Sequence, residues 1–185
     1  SGSGTADDPV LIHNTEELVR WCNDLTKMGK EQERQQHARL MNDLTSPGPD
    51  GTEYGGAIDN NIIDRMAHPD LQVAEFDGNG HLIELKLEGY SALFQTGGQP
   101  GAGRTGVTTI KDLHIIGSVN YGFSDGGSVG TLFASIGKEG DSSEDRRVKI
   151  TDCTNQANVQ GSSSAGGFIG SYYDTINGEG TIHIE

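Results

Sequence analysis

Three stretches of the chain restate one pattern: GHLIELKLEGYSALFQTGG (residues 80–98), TIKDLHIIGSVNYGFSDGGSVGTLFASIG (109–137) and VKITDCTNQANVQGSSSAGGFIGSYYD (148–174). A fourth copy opens with TIHIE at 181–185. Each copy is a short run of alternating apolar residues, a turn, and a glycine-rich run ending in a second apolar stretch. Such a unit is too small to bury its own apolar face. Copies spaced by roughly 30–40 residues must therefore stack on one another. The expectation is an all-β chain: a right-handed parallel β-helix, or solenoid, of short glycine-rich coils, with an N-terminal amphipathic helix capping its open end.

Only 32% of the 185 residues are hydrophobic, and 28 are glycine. That is poor for one closed globule but sufficient for coils that each bury a narrow internal row. The alternation predicts Leu82, Leu85, Leu87, Leu93 and Phe94 inside the first coil. Ile110, Leu113, Ile115, Val119, Val129, Leu132, Phe133 and Ile136 fill the second, and Val148, Ile150, Cys153, Val159, Phe168 and Ile169 the third. Lys86, Glu88, Lys111, His114, Lys149 and Asp152 fall on the alternate, outward positions of the strands.

The N-terminal part reads differently. Residues 1–7 are small and polar and read as a linker or tag. Residues 8–75 hold a capping strand and helix with a polar insertion at 30–71, and residues 76–185 hold the repeats. Val10, Leu11 and Ile12 predict a strand, and Asn14 or Thr15 caps a helix whose first turn carries Glu16 and Glu17. Leu18, Trp21, Cys22, Leu25 and Met28 form its apolar stripe, and Gly29 is expected to end it. Because the last copy breaks off at TIHIE, further repeats or domains of the full-length chain are expected to follow.

The copies resemble the GLUG motif, a glycine-apolar-apolar-glycine unit repeated in large bacterial surface and secreted proteins such as adhesins and IgA-type peptidases. Gly166, Gly167, Phe168, Ile169 and Gly170 match its core, and Gly130, Thr131, Leu132 and Phe133 match it more weakly. Asp152, Cys153, Thr154 and Asn155, followed by Asn158, Val159, Gln160 and Gly161, resemble the strand before that core. The resemblance implies a β-helical stalk or binding module, located at the cell surface or secreted. It implies no catalytic residues.

The net charge of −14 repels phosphate backbones, which argues against a nucleic-acid partner. No run of 18 apolar residues is present, so no membrane insertion by a helix is expected. Cys22 and Cys153 read as two buried thiols, with a disulfide between them as the alternative. The six histidines lack zinc-site spacing, the glycine string at 98–103 lacks the lysine of a phosphate loop, and no cofactor is expected. Asp141, Glu144 and Asp145 are weak calcium candidates in what reads as a solvated acidic loop. A polysaccharide-active enzyme, a lyase or glycoside hydrolase, would need paired carboxylates, and nothing pairs Asp77, Asp112, Asp125, Asp152 or Asp174. Tyr121, Phe123, Tyr172 and Tyr173, with Tyr90, are the ligand-binding candidates, since exposed aromatics stack on sugars or anchor proteins. The expected function is a non-catalytic binding or adhesion module for a host protein or glycan. A purely structural spacer is the alternative.

Overall fold

A computed structural model describes residues 2–27, 36–47, 56–66, 70–71, 75–94, 96–97, 106–124, 126–137, 146–173 and 181–185. It is mostly β, and every strand pair is parallel. The strands are β1 (Val10–Ile12), β2 (His37–Leu40), β3 (Ile58–Asp59), β4 (Asp70–Leu71), β5 (Glu75–Asp77), β6 (Leu82–Glu88), β7 (Thr96–Gly97), β8 (Val107–Lys111), β9 (His114–Tyr121), β10 (Ser128–Val129), β11 (Phe133–Ile136), β12 (Arg147–Thr151), β13 (Thr154–Asn155), β14 (Asn158–Gly161), β15 (Ser164–Ala165), β16 (Ile169–Tyr172) and β17 (Thr181–Ile184). Two helices are described, α1 (Thr15–Leu25) and α2 (Asn60–Arg65).

The first sheet runs β1-β2-β5-β8-β12-β17, and the second runs β3-β6-β9-β13 with β14 also on β9. Three two-stranded parallel sheets complete the set, β4–β7, β10–β15 and β11–β16, and Phe94 is bridged to Phe133. Each return of the chain thus adds a strand beside its predecessor. Period-two alternation explains why these segments are strands. In β6, Ile83, Leu85 and Leu87 are buried while Lys86 and Glu88 are exposed. Leu82, expected inside, is only half-buried, because the face set by Leu85 and Leu87 passes through Ile83.

The sequence copies coincide in space. Leu93 N–H donates to the Thr131 carbonyl (3.0 Å) and Phe94 N–H to that of Leu132 (2.9 Å). Thr131 N–H in turn donates to the Gly167 carbonyl (3.0 Å) and Leu132 N–H to that of Phe168 (3.0 Å). Gly130 and Gly166 therefore stand one above the other, where a Cβ would run into the carbonyl three residues on, that of Phe133 or Ile169. Ser91 holds this place in the first copy, and its carbonyl accepts from Gly130 N–H (3.0 Å).

One core joins residues of β1 to β3, β5, β6, β8 to β12 and both helices. Within it the rings of Trp21, Phe76, Phe94 and Phe133 form a chain with centroid separations of 5.6, 6.1 and 5.9 Å. Trp21 comes from α1, whose stripe of Leu18, Val19, Trp21, Cys22 and Leu25 is buried. Asn14 caps this helix by accepting from Glu17 N–H (3.0 Å), and Glu17 reaches back to His13 N–H (2.7 Å). The helix ends at Leu25 with Thr26 as its cap, and Met28 and Gly29 lie outside the described residues.

The expected insertion at 30–71 is narrower than its polarity suggests. β2 lies between β1 and β5, Leu44 pairs with Ile83, and Ile58 pairs with Leu85. A single residue separates Ile83 from Leu85, so Leu44 and Ile58 meet nearly adjacent positions of β6. Nor do residues 2–8 behave as a loose linker. Gly4 is buried, and its carbonyl accepts from His37 N–H (2.7 Å) at the start of β2.

Candidate functional site

Strand parity sorts the aromatic candidates. Tyr172 pairs with buried Ile136 across β16 and β11 and packs against the core, with its hydroxyl oxygen buried. Tyr173, the next residue, faces the opposite way. Its N–H donates to the Ile136 carbonyl (2.9 Å), and its side chain lines a cleft of about 320 Å³. Tyr121, at the end of β9, lines the same cleft. Phe123 does not line the cleft; it is 55% exposed, with its ring edge-on to Tyr121 at a centroid separation of 5.2 Å. The Phe123 carbonyl is tied down by the Ser162 hydroxyl. Tyr90 is engaged elsewhere, donating its hydroxyl to Asp64 of α2.

The rest of the cleft comes from three serines, Ser91, Ser128 and Ser135, and from Gly126, Gly127 and Ala134. Ser128 starts β10, and Ala134 and Ser135 are the half-exposed residues of β11 between buried Phe133 and Ile136. Sequence reasoning passed over the serines because serine in a turn already has a structural explanation. One signal was available, Ser91 standing where later copies have glycine. Among the described residues, none that lines the cleft is charged.

A second cavity, of about 280 Å³, lies between the N-terminal turn, β1 and α1. Its charged lining includes Glu17, whose carboxylate is occupied by His13 N–H and by the His13 ring nitrogen at 2.9 Å. Burial raises the Glu17 pKa, but these His13 contacts outweigh it and hold the carboxyl below the ordinary glutamate value.

The charged groups of β2, β5 and β8 pair with one another. Arg39, Asp77 and Lys111 stand in register on β2, β5 and β8. Arg39 Nε lies 2.9 Å from Asp77, Lys111 Nζ lies 2.9 Å from Glu75 and 3.8 Å from Asp77, and the His37 ring lies 3.6 Å from Glu75. Alternating sign along the stack avoids like charges on neighbouring strands. The Glu75 carboxylate beside Lys111 raises its pKa above the ordinary lysine value. Asp77 also accepts from Asn79 N–H (2.8 Å), so it is held by the fold and not aimed at a substrate. Asp112 and Asp152 occupy corresponding corners at φ +47° and +53°. Asp125 and Asp174 lie outside the described residues, as do Asp141, Glu144 and Asp145.

Each of the five histidines among the described residues has a polar partner: Glu17 for His13, Glu75 for His37, Asp43 for His81, Thr154 for His114 and Glu185 for His183. No group of three or more metal-ligating side chains occurs among the described residues. Cys22 and Cys153 are free thiols, and burial pushes the pKa of both above the ordinary cysteine value. No described helix is long and apolar enough to cross a membrane. No protein family, curated protein or solved structure matches the chain.

Proposed function

We propose that this chain is a right-handed parallel β-solenoid of GLUG type, capped at its N-terminal end by α1, and that it serves as a non-catalytic binding module of a secreted or cell-surface protein. One observation carries the binding reading. Tyr121 and Tyr173, which belong to different copies of the repeat, converge on one cleft with three serine hydroxyls. Tyr121 packs against the core as well as lining the cleft, whereas Tyr173 is not among the core residues. The cleft's volume lies at the lower end of the range of small-molecule sites, about 300–1,000 Å³. Its described lining holds no carboxylate, which favours holding a ligand over cleaving one.

The spacer reading is supported by the self-neutralised charges of β2, β5 and β8, which leave those strands with little to offer a partner. An array of glycans and extracellular proteins, probed with the wild-type chain and with Tyr173→Ala, separates the two. The binding reading expects a ligand retained by wild type and lost by a folded Tyr173→Ala. No retained ligand, or equal retention by both proteins, favours the spacer.

A further inference from the structure

The geometry points to an uncharged saccharide as the ligand of the Tyr121–Tyr173 cleft, an inference that rests on the binding reading above and specifies its chemistry. No described residue hydrogen-bonds the side-chain hydroxyls of Ser91, Ser128, Ser135 or Tyr173, and all four line one cleft. A hydroxyl donates one hydrogen bond and accepts up to two. The lining therefore suits a ligand whose own groups both donate and accept, as neighbouring sugar hydroxyls do.

Ligands of other chemistry fit less well. A carboxylate or phosphate only accepts, and it draws on Arg, Lys or clustered backbone N–H groups. The described lining has no cation, and the chain's net charge of −14 repels anions at a distance. An ammonium group only donates and would be held by carboxylates, of which the described lining has none. A protein partner needs a desolvated apolar pocket for its anchor. Ala134 is the one aliphatic side chain among the described lining residues.

The tyrosines add what the serines lack. A phenol ring presents an apolar face to the C–H face of a pyranose and a polar tip to its hydroxyls. Phe123, edge-on to Tyr121 and more than half exposed, extends this surface beyond the cleft. That arrangement suits a chain of sugars with one unit seated and the next lying across the rim.

The test immobilises three sets of oligosaccharides and probes them with the full 185-residue chain. The sets are uncharged (glucose, galactose, mannose, N-acetylglucosamine), anionic (galacturonate, sialic acid) and cationic (glucosamine). The expected result is retention by at least one uncharged oligosaccharide. Its affinity should change less than about twofold as salt is raised from roughly 0.05 to 0.5 M, because no ion pair is screened. Tyr173→Ala should weaken it by about tenfold or more, the equivalent of about 1.4 kcal/mol. Should Tyr173→Ala fail to fold, Ser128→Ala and Ser135→Ala decide, because each removes a hydroxyl with little change of shape. Each should weaken retention by at least about threefold, within the usual range for one hydrogen bond.

Retention of only anionic or cationic sugars, falling steeply with salt, overturns the inference. So does a protein ligand lost in the same variants while no sugar is retained, although the binding reading then survives. If neither a sugar nor a protein is retained, both the inference and the binding reading fall.

Discussion

Gly117 and Gly80 both carry positive φ, +96° and +77°, yet they face different surroundings. A Cβ at Gly117 would overlap the carbonyl oxygen of Leu85 on the neighbouring strand, while a Cβ at Gly80 meets nothing within 4 Å. Gly80→Ala should cost only the left-handed backbone penalty, about 1–2 kcal/mol. Gly117→Ala adds a clash between two hydrogen-bonded strands and should cost more than about 3 kcal/mol. Urea denaturation measures both, and equal costs would contradict the close approach of β6 to β9. The tyrosine pair teaches a related lesson about reading residues. That Tyr172 and Tyr173 face opposite ways follows from strand geometry alone. Which of them turns inward does not, because both are tyrosines, and only the pairing of Tyr172 with Ile136 decides it.

At the scale of elements, strands with long alternation were legible and short ones were not. β6 shows its pattern over seven residues, whereas β2 has only Ala38 and Leu40 to mark its inner face. β2 takes its place through partners far away in sequence, which a local pattern cannot reveal. The segment after β2 is fastened to β6 by Asp43, whose carboxylate accepts from Leu82 N–H (3.0 Å) and faces the His81 ring at 3.0 Å. The Leu82 N–H bond is the main reason its pKa lies below the ordinary aspartate value of 3.8. A carboxyl depressed in the folded state stabilises the fold above its unfolded pKa, and that contribution is lost as pH falls through the folded value. Wild type should therefore exceed Asp43→Asn in stability near pH 6, with the difference shrinking as pH drops below about 3.8. The gap should stay under about 1 kcal/mol, because the side chain is half exposed. Urea midpoints at several pH values check this, and a gap independent of pH would contradict the assigned contact.

At the scale of the whole molecule, the repeat announced the parallel β class, since apolar units of this length have to stack. The aromatic chain from Trp21 to Phe133 was less legible: Phe94 and Phe133 hold the same place in successive copies, but Trp21 and Phe76 meet them only once the chain has turned back on itself. The cleft was half legible: its tyrosines stood out as ligand-binding candidates, while its serines were hidden among residues that turns explain. What the copies share builds the stack, and what they do not share, Ser91, Tyr121 and Tyr173 above all, lines the cleft. Amide NMR titration of the chain with the best array ligand tests this division most directly. The account predicts shifts confined to residues around 91, 121, 126–128, 134–135 and 173, with the amides of β2, β5 and β8 unmoved. Shifts centred on the charged face of Arg39, Glu75 and Lys111, or none at saturating ligand, would contradict it.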